Sequence, residues 1–409
     1  MNAAEGLTGW ANPGIVAQDT TSEIEMYWFA IASLTPAFLL LMACLFGGLW
    51  AWAALAFVTA LVAFLDRVSK RTLPLREDGK AERFARTLGI VLALVHFVLL
   101  AAGVRAIATS PALSGAEALA LLVALGLFMG QVSNSNAHEL IHATDRPLRT
   151  LGVWVYISLL FGHHASAHPK VHHVHVATAR DPNSARSGQG FYAFWPRAWV
   201  GSFRAGLRAE NAARLRLKPP PNPLTHPYVG YVGGAVLFLG LAWRLAGWAG
   251  VAAYLGLACY AQMQLILADY VQHYGLRRRI GADGRPEKAG AQHSWNAPQW
   301  FSSAMMLNAP RHSDHHMHPM RLFTALRLDR KTMPVLPFSL PMMAGIALLP
   351  PLWRRVMDPR VARWQNTHAA GGAQTGDLAL SGHAHILVDS PDFDGPAGEG
   401  RNAPDGRGF

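Results

Sequence analysis

Cysteine is scarce in this chain of 409 residues: only Cys44 and Cys259 are present, and both lie inside apolar runs. That excludes a disulfide framework and a thiolate metal site. Charge is scarce too. Asp, Glu, Lys and Arg make up 15% of the residues, against roughly 25% in a soluble protein. With 51% hydrophobic residues and a mean hydropathy of +0.16, the composition excludes a disordered chain, a small stapled scaffold and a plain water-soluble enzyme. Carboxylates are fewer than cations, 25 against 36, an excess that suits nucleic acid, anionic lipid or an acidic protein partner. The basic residues abut apolar runs and no recognition motif accompanies them, so nucleic acid is not expected. No internal repeat of the transporter kind is visible.

What is abundant is long uncharged sequence. Residues 26–65 contain no charge at all. As one straight helix they would measure about 60 Å, twice the roughly 30 Å hydrocarbon core, so they must fold back, and Gly47-Gly48 is the expected break. Further spans are expected at 87–104, 118–137, 228–245 and 249–271, the last two joined by a turn near 247–250. The apolar stretch 333–352 is punctuated by Pro334, Pro337, Pro341, Pro350 and Pro351, which predicts an interfacial or re-entrant segment. Residues 1–25 carry no Lys or Arg and no short apolar core before a cleavage site, so no signal peptide is expected. The predicted fold is all-α and polytopic, with about six transmembrane helices. It comprises an N-terminal segment (1–26), helices one to four (27–137), a histidine-rich region (138–227), helices five and six (228–272), a second polar region with the apolar segment (273–366) and a disordered tail (367–409).

Orientation follows from the positive charges. Residues 66–86 hold Arg67, Lys70, Arg71, Arg76, Lys80, Arg83 and Arg86, and residues 138–227 hold eleven Lys or Arg against four carboxylates, whereas the opposite side shows chiefly Arg105 and Arg244. Both termini and the histidine regions are therefore expected in the cytoplasm.

The 19 histidines are informative through their placement. His138-Glu-Leu-Ile-His142 continues the fourth span, and an i, i+4 spacing sets both rings on one helical face where they can share a metal. His168-Pro-Lys-Val-His172-His173 repeats the step and adds a ring. His273 stands at the end of the sixth span in DYVQHYGL, and His312-Ser-Asp-His315-His316 closes the series. Nine imidazoles exceed what one metal takes and suit two metals with four or five ligands each. Neutral nitrogen donors suit iron, zinc or copper. HELIH alone also fits a zinc protease with Glu139 as base, but that leaves the paired histidines unexplained. A metal transporter would place ligands near the midplane of its spans; here the clusters lie past the helix ends, and only His96 sits within one. His96, His226, His293 and His368 read as packed or surface residues, His163, His164 and His175 stay open, and His383 and His385 fall in the tail.

With these strings in view, the chain resembles the integral-membrane alkane 1-monooxygenases, within the wider membrane desaturase and hydroxylase group. HELIH resembles the first box of that family, RHSDHHMHP the last, DYVQHYGL the string with the extra histidine, and residues 172–197 the segment around the second box. The resemblance implies that His138, His142, His168, His172, His173, His273, His312, His315 and His316 hold two non-haem iron ions. It further implies O2 as co-substrate and hydroxylation of the terminal carbon of n-alkanes from the bilayer to 1-alkanols, in a bacterial inner membrane. Without a CxxC pair, electrons are expected from a separate rubredoxin, or a ferredoxin, and its NAD(P)H-dependent reductase. Alternatives are hydroxylation of an aromatic methyl group, as in xylene monooxygenases, and hydroxylation or desaturation of a fatty acyl chain. Glu139, Asp269 and Asp314 are candidates for orienting the rings. Ala143, Ala167, Val171, Asp269 and Gln272 depart from the usual family residues, though none removes a candidate ligand.

Overall fold

The computed structural model describes residues 13–69, 73 and 75–381. Residues Met1–Val361 form one compact unit and Ala362–Phe409 a second. The described residues are helical, with two isolated bridges and no strand.

Helix α1 (Pro13–Phe46) and helix α2 (Leu49–Val68) are separated by the two predicted glycines. Gly47 and Gly48 have φ of 63° and 58°, a region open to glycine at little cost. At Gly47 a Cβ would also lie 2.3 Å from the carbonyl oxygen of Ala112, so both conformation and space demand glycine there. Helix α3 (Gly79–Thr109) is capped by Asp78, whose carboxylate accepts from the backbone N–H groups of Lys80 and Ala81. Helix α4 (Gly115–His142) starts on a reciprocal Ser114–Glu117 capping box, which satisfies two otherwise orphaned donors. Helix α5 (Arg146–Ser158), a turn at residues 164–175 and helix α7 (Phe191–Leu215) follow; the turn is designated α6.

Helix α8 (Pro227–Gln272) is 46 residues long but broken where Ala246 and Gly247 leave helical geometry, at the turn that the sequence predicts. Among the described residues five helices, α1 to α4 and α8, are long and apolar enough to cross a membrane. Past α8 the elements shorten to α9 (Trp300–Met305), α10 (His312–Met317) and α11 (Leu340–Ala347). Within the proline-punctuated 333–352 stretch, α11 has 8 residues. At about 12 Å it is far too short to span. Its Leu340, Met343 and Ala347 are buried. The final helix, α12, runs Pro350–Ser381. Composition predicts a disordered tail from 367, and the last helix extends into that stretch as far as Ser381. Residues 382–409 of the predicted tail, with His383 and His385, lie outside the described residues.

Two π-turns bend the backbone close to the histidine strings. One, at Met129–Ser133, interrupts α4 just before its histidines. The second, His168–His172, forms the middle of α6.

Candidate metal centre

All nine imidazoles of the histidine strings meet in one place. Donor atoms of His138, His142, His168, His173 and His315 form one group, and those of His172, His273, His312 and His316 a second; within each group the donors lie within 4.8 Å of one another. The grouping follows from helix type. His138 and His142 stack one turn apart at the end of α4, as an α-helix dictates. His312 and His316 do the same in α10, with Nε2 atoms 3.1 Å apart. The π-turn breaks this rule. In a π-helix the repeat is i, i+5, so His168 pairs with His173, their Nε2 atoms 2.9 Å apart, while His172 turns to the other group. His315, one position short of His316, likewise points across to His173 at 3.0 Å.

The contacts within the first group run His138–His168 at 2.7 Å, His168–His173 and His173–His315, all between Nε2 atoms. Hydrogen bonding cannot satisfy this chain of contacts. A neutral imidazole nitrogen has one N–H or one lone pair, yet His168 and His173 Nε2 each face two neighbours. Donors on one metal at about 2.0–2.1 Å, set at right angles, would stand about 2.9 Å apart, the spacing seen here. His142 Nε2 and His172 Nε2 are buried without any hydrogen-bond partner, lone pairs aimed into the groups. The donor set and its spacing therefore fit two metal ions.

Protonation favours the same reading. Burial and then the neighbouring imidazoles hold His168, His173, His273, His315 and His316 well below the usual histidine range, and burial pushes His312 down to about 3. Both causes favour the neutral ring, the form that binds metal. His172 differs. Burial lowers it, but the Asp181 carboxylate raises it further, for a net increase.

Asp181 is a site residue that histidine spacing does not reveal. Its Oδ2 lies 2.9 Å from His172 Nδ1 and accepts from Ser184 Oγ at 2.6 Å, and its Oδ1 accepts from Asn183 N at 3.0 Å. A carboxylate on Nδ1–H fixes the ring and presents Nε2. The available signal is its place in the string after the second box, nine residues from His172. The three carboxylates expected to orient rings bond elsewhere. Glu139 accepts from Phe323 N at 3.1 Å, Asp269 from Asn183 Nδ2 at 2.6 Å, and Asp314 from Arg321, Arg327 N and His318. Helical phase explains the first and last: Glu139 and Asp314 sit beside clustered histidines and so face about 100° away from them. Asp269 is one turn before His273, but His273 has left helical geometry (φ −118°, ψ 13°) and turns its ring toward His312. These carboxylate contacts brace the loops around the histidines.

Among the open histidines, His164 is buried and stacked against His168 with centroids 4.9 Å apart. His163 pairs with Ser202 at 3.2 Å and His175 is half-buried, while His96, read as a packed residue, is buried against Ser158 at 2.8 Å. None of these joins the donor groups. Behind α6, Glu210 accepts from Ser166 Oγ at 2.6 Å and from Lys170 Nζ at 2.5 Å, tethering the π-turn to α7.

A cavity of about 60 Å³ touches His138, His164 and His168 on one side and His312 on the other. Its remaining walls include Gly130, Ala268, Ala309 and Ala344 from α4, α8, the loop before α10, and α11. It thus adjoins both donor groups.

Residues 114–344 match the fatty acid desaturase family. Alkane 1-monooxygenase 1 of Pseudomonas aeruginosa is 34% identical over 349 residues, covering 82% of this chain and 86% of that protein. Alkane 1-monooxygenase 2 of Alcanivorax borkumensis is 32% identical over 320 residues, 76% of this chain and 83% of its own. The xylene/toluene monooxygenase hydroxylase component of Pseudomonas putida is 26% identical over 347 residues, 82% of this chain and 89% of its own.

Proposed function

The chain belongs to the alkane 1-monooxygenases, within the fatty acid desaturase family, and from that premise we propose that it hydroxylates the terminal carbon of n-alkanes at a non-haem di-iron site. The observation that carries the reading is the pair of imidazole groups facing one cavity. His138, His142, His168, His173 and His315 would hold one iron, and His172, His273, His312 and His316 the other. Bound iron would supply the activation of O2 that breaking an unactivated C–H bond needs.

The chain's own residues do the rest. Asp181 keeps His172 in the tautomer whose Nε2 is free. Gly130, Ala268, Ala309 and Ala344 make part of the lining small and apolar, while Gln131, Asn134, Gln264, Asp269 and Gln272 add polar groups to the rest. A cavity of about 60 Å³ beside both imidazole groups suits the end of an extended chain. An alkane partitions into the bilayer, so access from lipid between the spans is the natural route. Counting the two halves of α8 separately gives six spans, and the positive-charge bias sets the histidines and both termini in the cytoplasm of a bacterial inner membrane. Electrons come from a separate rubredoxin, or a ferredoxin, and its NAD(P)H-dependent reductase.

The test is product analysis by gas chromatography and mass spectrometry. Membranes receive rubredoxin, reductase, NADH and O2 with n-alkanes of several lengths, xylene and a fatty acid; His312→Ala is the control. A 1-alkanol from the wild type and none from the variant is expected. Benzylic alcohol or a modified fatty acid in place of alkanol would overturn the substrate assignment.

A further inference from the structure

The segment after His173 and the segment after His273 run side by side. Gly275 N donates to Ala185 O and Arg278 N to Ala177 O, each at 3.0 Å. This pairing brings arginines from two distant parts of the chain to one rim: Arg180 and Arg186 from the first segment, Arg277 and Arg278 from the second. Arg197 of α7 stands behind them, its Nη2 donating to Ser184 O at 3.1 Å. Residues 177–189 and 275–288 together hold seven Lys or Arg and three carboxylates.

Those carboxylates are already committed. Asp181 is buried on His172 and Ser184. Glu287 accepts from Arg279 N at 3.0 Å and contacts His293 at 3.1 Å, and Asp283 accepts from Arg285 N in its own turn. The guanidinium groups of the rim lack such partners. Arg277 and Arg278 are half-buried, with no carboxylate bonded to either guanidinium among the described residues. Arg180 and Arg186 are exposed. Val174 and Ile280, 53% and 65% exposed, supply apolar surface on the same two segments, and arginine beside apolar surface is the usual make-up of a protein interface. Directly beneath lies Asp181, in contact with His172 and hence with the second imidazole group.

We infer that this rim is the docking surface of an acidic one-electron carrier protein, whose carboxylates pair with Arg180, Arg186, Arg277 and Arg278 and whose electrons enter on the His172 side of the centre. The inference rests on the oxygenase reading. In that reaction R–H, O2, two electrons and two protons give R–OH and water, and two reduced carriers are each oxidised by one electron. Anionic lipid is the competing source of negative charge. The rim sits on loops beyond the span ends and closes over His172's own partner, a placement that serves electron delivery and that a lipid head group does not require.

The test measures binding of rubredoxin, and separately of an acidic ferredoxin, to iron-loaded protein in zwitterionic nanodiscs at ~20 and ~300 mM salt. The variant is Arg180→Glu with Arg186→Glu; the control is Arg204→Glu with Arg208→Glu, two exposed positions on α7. For at least one carrier the rim variant is expected to weaken low-salt binding about tenfold, with the gap closing at high salt. Iron content should be unchanged and the control should shift by less than about twofold. Equal losses in rim variant and control, wild-type affinity in the rim variant, or no binding of either carrier to the wild type would overturn the inference. So would rim-dependent binding of phosphatidylglycerol vesicles without rim-dependent carrier binding. Rim-dependent docking without alkanol formation would leave this surface standing and remove the alkane reading; alkanol formation without rim dependence would do the reverse.

Discussion

Asp181 shows how one buried carboxylate sets the behaviour of an imidazole. It holds His172 Nδ1 at 2.9 Å while Ser184 and Asn183 hold the carboxylate in turn. Replacing it with Ala leaves a buried imidazole N–H unpartnered and the ring free to turn. The expected result for Asp181→Ala is a 10- to 100-fold loss of iron affinity at the four-histidine group, with the five-histidine group less affected. Asp181→Asn keeps an acceptor without the charge and should recover part of the loss. Titration of iron per chain, followed spectroscopically, checks both. Glu139, Asp269 and Asp314 carry a different consequence, because they bond to loops and to Asn183. Their removal should disturb the backbone around the site before it disturbs a particular ring.

At the scale of elements, α4 and α5 meet with almost no space between them next to His138 and His142. A Cβ on Gly152 would lie 2.7 Å from Leu140 Cβ, 2.9 Å from Ala137 O and 3.1 Å from Ile141 N. Those are helix atoms that cannot move without shifting HELIH itself. Gly103 offers a contrast: its Cβ would meet Leu125 Cδ1 at 2.4 Å, the far end of a side chain that can rotate away. Gly152→Ala is therefore expected to cost about 1–3 kcal/mol and to lower the iron content. Gly103→Ala should cost well under half as much and leave iron unchanged. Thermal unfolding in detergent together with metal analysis separates the two. The π-turn at His168–His172 belongs to this scale as well. It converts a run that spacing alone would align as i, i+4 into one that sends His168 and His173 to one group and His172 to the other.

Across the whole unit, the imidazoles tie together elements far apart in sequence: α4, α6, the end of α8, and α10. Iron bound by such a set couples to the folded state by mass action. Chelation should lower the melting temperature of the purified protein by several degrees, with recovery on adding ferrous ion, as read by intrinsic fluorescence of the tryptophans. An unchanged melting temperature would mean that packing alone holds the four elements in place.

Much of this was legible in the sequence because it depends on local chemistry. Uncharged length marks helices able to span, paired glycines at 47 and 48 mark the hairpin, Ala246 and Gly247 fall at the expected break in α8, and histidine spacing names the nine donors that meet. These features follow from short-range periodicity and from the cost of charge in lipid. Other features required the fold. Which imidazole joins which group depends on the π-turn and on ring directions that residue types do not encode. Asp181 acts through a contact made by the turn after His173, and the helix through 367–381 outlasts a composition that suggests disorder. The arginine rim exists because residues 177–185 pair with 275–278, a contact between segments nearly a hundred positions apart. Sequence determined the helices, the donors and the family; tertiary structure decided their grouping and their partners, because both depend on directions in space that only packing sets.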